Sequence, residues 1–234
     1  MTIQELERAG HEAFAISRSA GQDLSTGAGL DEALQGVDAV VDVSNTQSQD
    51  EAEIVDFFGS ATRNLLAAEE RAGVGHHVLL SIVGIDDKRT VPHYAGKRAQ
   101  EALVVDGPIP WTIVRATQFH DFPAMAAEWT EHDGAATVAP LLLQPIAPAD
   151  VADILVDVAV NAPQRRRIDI AGPRTEDFVD MARRTFAARG KQVQLEVTWR
   201  GMYQLEMSGE AMLPGADARI GPTSFDEWLA AGAA

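Results

Sequence analysis

Residues 75–101, GHHVLLSIVGIDDKRTVPHYAGKRAQE, constrain this chain more than any other stretch. Val78, Leu79, Leu80, Ile82 and Val83 form a nearly unbroken run of β-favouring apolar residues, the pattern of a parallel strand covered on both faces. Ser81 and Gly84 interrupt it. In an open α/β sheet ligands lie beyond the carboxyl ends of the strands, which puts the Ser81 hydroxyl at the edge of a cleft. Residues 93–103 then read as a helix with Lys97 one turn beyond His93 and Tyr94, so a ring, an amine and a hydroxyl converge there.

The rest of the chain supports that stretch. Ile3 and Leu6 share a helix face that Gly10 stops, so the chain opens in the last turns of a helix. Residues 12–17 (EAFAIS) read as a short strand with Arg18 at its carboxyl end. A short helix at 30–34 precedes a second strand, 37–43 (VDAVVDV), which ends in Ser44 and Asn45. Ile54, Val55, Phe58, Ala61, Leu65, Leu66 and Ala72 keep the helical period up to Gly73. After Pro108 and Pro110, WTIVRA at 111–116 is another buried strand, followed by Thr117, Gln118, Phe119 and His120. Helix is expected over 120–132, a short extended piece at 136–138 and helix again at 151–159. RIDIA at 167–171 reads as a last sheet strand. Thr175 is expected to cap a helix whose Phe178, Met181, Ala182 and Phe186 share a face, 193–199 alternates, and FDEWL at 225–229 closes the chain. Strands followed by helical patterns make βαβ units with right-handed crossovers, hence an α/β fold on a mostly parallel sheet. At 234 residues one sizeable core is expected, over 1–171, with a small C-terminal lobe at 172–234 packed on it.

Charge and cysteine content remove whole classes of function. Thirty-five acidic against nineteen basic residues give a net charge of −16, which repels nucleic-acid phosphates and anionic lipid. There is no cysteine, hence no disulfide or thiolate chemistry. No apolar run approaches the ~18 residues of a bilayer span, and no basic start precedes an apolar core as in a secretion signal. A cytoplasmic chain with no nucleic-acid or membrane partner is expected. His11, His120 and His132 lack metal-ligand spacing, and adjacent His76 and His77 point apart along a strand, so no metal is expected. Arg165, Arg166 and Arg167 read as a solvated basic turn.

Taken together, the serine-terminated strand, the Lys97 helix, EAFAISRS, RATQFHDF and QPIAPADVA resemble the short-chain dehydrogenase/reductase superfamily in its atypical NmrA-like branch. The resemblance covers nearly the whole chain and implies a Rossmann-like doubly wound parallel sheet that binds NAD(P). It implies a catalytic Ser81 and a Lys97 that holds the nicotinamide ribose and lowers the pKa of a neighbouring phenol. The family's tyrosine stands four residues before its lysine, where this chain has His93; Tyr94 is three before, about 100° further round the helix. Both His93 and Tyr94 are therefore candidates for the acid role. Arg18 stands where an arginine pairs with the 2′-phosphate of NADP, and Ser44, Asn45, Thr117, Gln118 and Phe119, just past strand ends, are candidates to touch cofactor or substrate.

One departure from the family pattern stands out. No glycine-rich turn follows a strand, and the first glycine is Gly10, so the first strand and the pyrophosphate cradle of the family are absent from residues 1–234. A start assigned downstream of the true one is the expected cause, and impaired cofactor binding the expected result. The reading is an NADPH-dependent reductase of a small carbonyl or quinone-type substrate, monomeric or homodimeric. Two alternatives stand beside it: a non-catalytic NADP-sensing regulator of NmrA type, and a truncated chain with impaired binding. Trp199, Met202, Tyr203, Met207 and Met212 make the C-terminal lobe apolar enough for a small hydrophobic substrate or for a core of its own.

Overall fold

The computed structural model describes residues 2–86, 88, 90–200 and 204–232. Helix α1 (Thr2–Arg8) is followed by an irregular stretch at 11–17 and a 3-10 turn at Arg18–Ala20. The strand expected at 12–17 does not form. A strand exists through its ladder of hydrogen bonds to a neighbour, and among the described residues this stretch has none. Its Ile16 instead packs on a core of Leu30, Leu34, Val40, Leu65, Ala68 and Val74, while Phe14 stays exposed. Arg18 therefore opens a turn and does not end a strand.

The order continues with α2 (Leu30–Ala33), β1 (Ala39–Asp42), α3 (Glu51–Ala72), β2 (His76–Ile82), α4 (Pro92–Asp106) and β3 (Trp111–Ala116). Then come α5 (Phe122–Trp129), β4 (Ala135–Val138), β5 (Leu142–Leu143), α6 (Pro148–Val160), β6 (Arg167–Ala171), β7 (Glu176–Asp177) and α7 (Phe178–Ala188). The last elements are β8 (Gln194–Val197), a 3-10 turn at Leu205–Met207, β9 (Arg219–Ile220) and α8 (Phe225–Ala230). The central sheet is parallel, in the order β1-β2-β3-β6-β9, with Ala39 opposite His76, Asp42 opposite Leu79 and Ile170 opposite Arg219. This is the Rossmann-like α/β sheet that the β/α alternation implies. No helix among the described residues is long and apolar enough to cross a membrane.

The chain divides into two compact units. One is built from Met1–Ser81, Pro92–Arg115 and Ala152–Ile168, the other from Ile82–Val91, Ala116–Val151 and Asp169–Ala234. In the first, α3 starts at Asp50, whose carboxylate accepts from Glu53 N at 3.0 Å, and it buries Ile54, Phe58, Ala61, Leu65 and Leu66. Gly96 lets α4 lie close against it: a Cβ there would come within 2.5 Å of Phe58 and 2.6 Å of Ile54. His76 and His77 diverge as strand neighbours must, His76 Nε2 lying 2.9 Å from Thr112 Oγ1 and His77 Nδ1 2.8 Å from Glu69 Oε1.

In the second unit Ala147, Met181, Phe225 and Trp228 form a core, and a capping box between Ser224 and Glu227 starts α8. Thr175 does not cap α7. Glu176 and Asp177 are drawn into β7 by pairing with β5, so the chain stays extended two residues longer. Asp177 becomes the cap, accepting from Asp180 N at 2.8 Å. Met207 and Met212 are buried and Trp199 is half-buried, while Met202 and Tyr203 lie outside the described residues.

Candidate cofactor site

Lysine normally keeps its charge in water, yet Lys97 is 5% exposed. It sits on α4, which Gly96 draws onto α3, and its ammonium lies 4.7 Å from the centroid of the Phe58 ring. It donates to Gln100 Oε1 at 2.8 Å, Leu80 O at 3.0 Å and Ser44 O at 3.4 Å. Burial pulls its pKa down from 10.5 to about 8, against the opposing pull of Asp42 and Glu101. Because the ammonium has three hydrogens, this chain's own acceptors account for all of them.

The depressed pKa has a stability consequence with a definite sign. Between about pH 8 and pH 10.5 the unfolded chain keeps a proton that folded Lys97 has released. Stability therefore rises with pH across that window. Denaturant titrations should show this rise, and a Lys97→Met variant should lose it; equal slopes for both proteins would refute the shifted lysine.

Around Lys97 the ends of β1 and β2 are stitched together. Gln100, fully buried, donates from Nε2 to Asp42 Oδ2 at 2.9 Å and to Ser44 Oγ at 3.2 Å. Asp42 also accepts from Ser44 N at 2.8 Å. His93 stands edge-on to Phe58, ring centroids 5.3 Å apart, and burial, then the Lys97 charge, pulls its pKa down to about 4. It is a neutral imidazole at pH 7. Tyr94, its neighbour on α4, is buried.

Ser81 is 2% exposed, and its Oγ faces Glu101 without a hydrogen bond of good geometry. Burial would raise the Glu101 pKa, but the bonds from Arg115 and Arg167 outweigh it and hold the carboxyl below its usual range. Arg115 Nε and Nη2 reach its two oxygens at 2.8 and 2.7 Å, and Arg167 Nε lies 2.7 Å from Oε2.

The remaining candidates divide between the two units. In the first, Arg18 is exposed and its guanidinium makes no hydrogen bond or ion pair among the described residues. Asn45 is exposed too, its Oδ1 accepting from Thr46 N at 2.8 Å. In the second, Thr117 is buried and donates from Oγ1 to Gln144 O at 2.7 Å. Gln118 is 9% exposed with no partner for Oε1, and Phe119 bridges to Ile146. The structure thus gathers Lys97, Ser44 and the end of β2 into one network. Arg18 and Asn45 take no part in the hydrogen bonds of that network.

Residues 6–162 match the model of a family described as NAD(P)H-binding. The chain belongs to this family. The relatives are consistent with it. The chain is 36% identical over 93 residues to (4-alkanoyl-5-oxo-2,5-dihydrofuran-3-yl)methyl phosphate reductase of Streptomyces griseus subsp. griseus, a match covering 39% of this chain and 29% of that enzyme. Among solved structures it is similar to MoeE5 in complex with UDP-glucose and NAD: TM-score 0.74, 16% identity, 98% of this chain and 91% of that one. It is similar to the dTDP-4-dehydrorhamnose reductase of Bacillus anthracis in complex with NADP: TM-score 0.74, 12% identity, 100% and 94% covered. A short-chain dehydrogenase/reductase superfamily protein from Agrobacterium tumefaciens with bound NAD follows: TM-score 0.69, 16% identity, 99% and 92% covered. At these identities the structural likeness concerns the fold.

Among the described residues, Asp42, Gln100, Glu101 and Arg115 belong to the buried polar network around Lys97 and Ser81 that sequence reasoning missed. For Gln100 and Glu101 there was a signal. They stand three and four positions beyond Lys97, on the same helix face.

Proposed function

We propose that the chain is an NADPH-dependent reductase of a small carbonyl or quinone-type substrate, acting in the cytoplasm as a monomer or homodimer, with residues 172–234 as its substrate lobe. The observation that carries this reading is Lys97, buried in a network at the carboxyl ends of β1 and β2 with its pKa lowered to about 8. The reductase relative in Streptomyces griseus and the NAD- and NADP-bound neighbours support the same chemistry.

The residues fit a dinucleotide in two respects. An exposed arginine with no partner among the described residues, Arg18, matches a 2′-phosphate, and the long 3.4 Å bond from Lys97 to Ser44 O is the one a ribose hydroxyl would replace. The cofactor supplies a hydride when bound. The protein's part is to hold the ribose through Lys97, to offer Ser44, Asn45, Thr117, Gln118 and Phe119 as cofactor or substrate contacts, and to supply the proton that accompanies the hydride. An imidazole with pKa about 4 carries no imidazolium proton at neutral pH, so among the two α4 candidates the Tyr94 phenol is the donor and Ser81 the hydroxyl that steadies the carbonyl oxygen.

A second reading has one observation in its favour. His93, at the position of the family's phenol, is held neutral, as suits a dinucleotide sensor without turnover. Binding and turnover assays separate the two. The reductase should prefer NADPH to NADH, lose about tenfold of that preference in Arg18→Ala, and oxidise NADPH with at least one carbonyl or quinone acceptor. Lys97→Ala should stop that oxidation. Cofactor-saturated protein that reduces nothing across a broad acceptor panel would leave the sensor, and equal affinity for the two cofactors would remove the role of Arg18.

A further inference from the structure

We propose that Gln100 is a positioning residue, orienting the Lys97 amine by tying it to Asp42 and Ser44 at the end of β1. Its amide has one arrangement that satisfies both neighbours. An ammonium only donates and a carboxylate oxygen only accepts, so Oε1 must face Lys97 and Nε2 must face Asp42. The distances, 2.8 Å and 2.9 Å, agree with that assignment. Gln100 is fully buried, so no water competes for either end, and Ser44 Oγ, 3.2 Å from Nε2, fixes the amide further.

The amide thereby couples two ionic groups that share no direct hydrogen bond. Asp42 is 4% exposed and acts on Lys97 through its charge, with Gln100 between them. The other charged or titratable groups that act on Lys97 are Glu101, which pulls its pKa up, and His93, which is neutral. Of the three acceptors of Lys97, two are backbone carbonyls set by the strands, Leu80 O and Ser44 O. Gln100 is the side chain among them. It stands one turn beyond Lys97 on the same helix, so the helix itself presents the acceptor at that spacing.

The role in cofactor binding rests on the reductase reading; the orientation of Lys97 does not, and the test separates them. Lysine side-chain nitrogen NMR would follow the Lys97 titration in the full chain, alongside NADPH binding by fluorescence. Gln100→Leu removes the acceptor and the link to Asp42, and should move the Lys97 midpoint down and weaken NADPH binding about tenfold. Gln100→Glu, nearly the same shape, puts a carboxylate beside the amine and should move the midpoint up. Circular dichroism confirms folding of each, and if Gln100→Leu does not fold, Gln100→Glu decides. A merely structural glutamine would lower the melting temperature and leave the Lys97 midpoint in place, which overturns the proposal. A shifted midpoint in a protein that binds no NADPH upholds the orienting role and counts against the reductase reading.

Discussion

Gly172→Ala is expected to destabilise the chain by about 3 kcal/mol, at the severe end for overpacking, and so to lower the melting temperature by roughly 6–12 °C at this chain length. The cause is a backbone crossing. A Cβ on Gly172 would lie 1.9 Å from Pro145 O and 3.0 Å from Pro145 C, and a carbonyl cannot swing aside as a flexible side chain does. The same crossing holds the segment after β3. Gln144 donates from Nε2 to Gly172 O at 2.8 Å, Thr117 Oγ1 donates to Gln144 O, and Ile146 exchanges backbone bonds with Gln118 and His120. Displacing residues 144–146 should therefore loosen Thr117 and Gln118 as well as the fold. A melting temperature within about 2 °C of the parent would show that the crossing yields more easily than backbone packing allows.

Glu101→Ala is expected to cost about 3–5 kcal/mol, the range for removing one partner of a buried ion pair. Glu101 is 2% exposed and Arg115 8%, and Arg167 adds a third member from β6. Without the carboxylate, the Arg115 guanidinium keeps its charge in the interior and loses both bonds to Glu101. Chemical denaturation should show the loss, and Glu101→Leu combined with Arg115→Met should recover much of it, because replacing both charges removes the desolvation cost along with the attraction. The pH dependence follows from the lowered carboxyl pKa. The contribution is full above the unfolded value of about 4.5 and is lost as pH falls through the lower folded value. A loss below 1 kcal/mol for Glu101→Ala would place the pair among weak surface bridges.

The strands at 111–116 and 167–171 were legible to the residue, and so was the end of α3 at Gly73. A strand covered on both faces is an apolar run, and a packed helix repeats its apolar positions every turn, so both signals are local. The stretch 12–17 shows where locality ends. EAFAIS has strand composition, but a strand is a relation to a second chain segment, and the described residues provide none beside it. Thr175 fails for the same reason from the other side: pairing of 176–177 with 142–143 keeps the chain extended and passes the cap to Asp177.

At the site, sequence by itself determined that His93 and Lys97 stand one turn apart on the helix that follows the second sheet strand, since strand ends and helix spacing are written in residue order. Tertiary structure alone decided their chemical state. Lys97 becomes a buried amine with a pKa near 8 because α3 closes over it, through Phe58 and the bare Cα of Gly96, and because Gln100, Leu80 and Ser44 reach it from three elements. His93 becomes a neutral imidazole by the same burial. Proton affinity depends on what surrounds a group in space, and that environment is assembled from residues far apart in the chain.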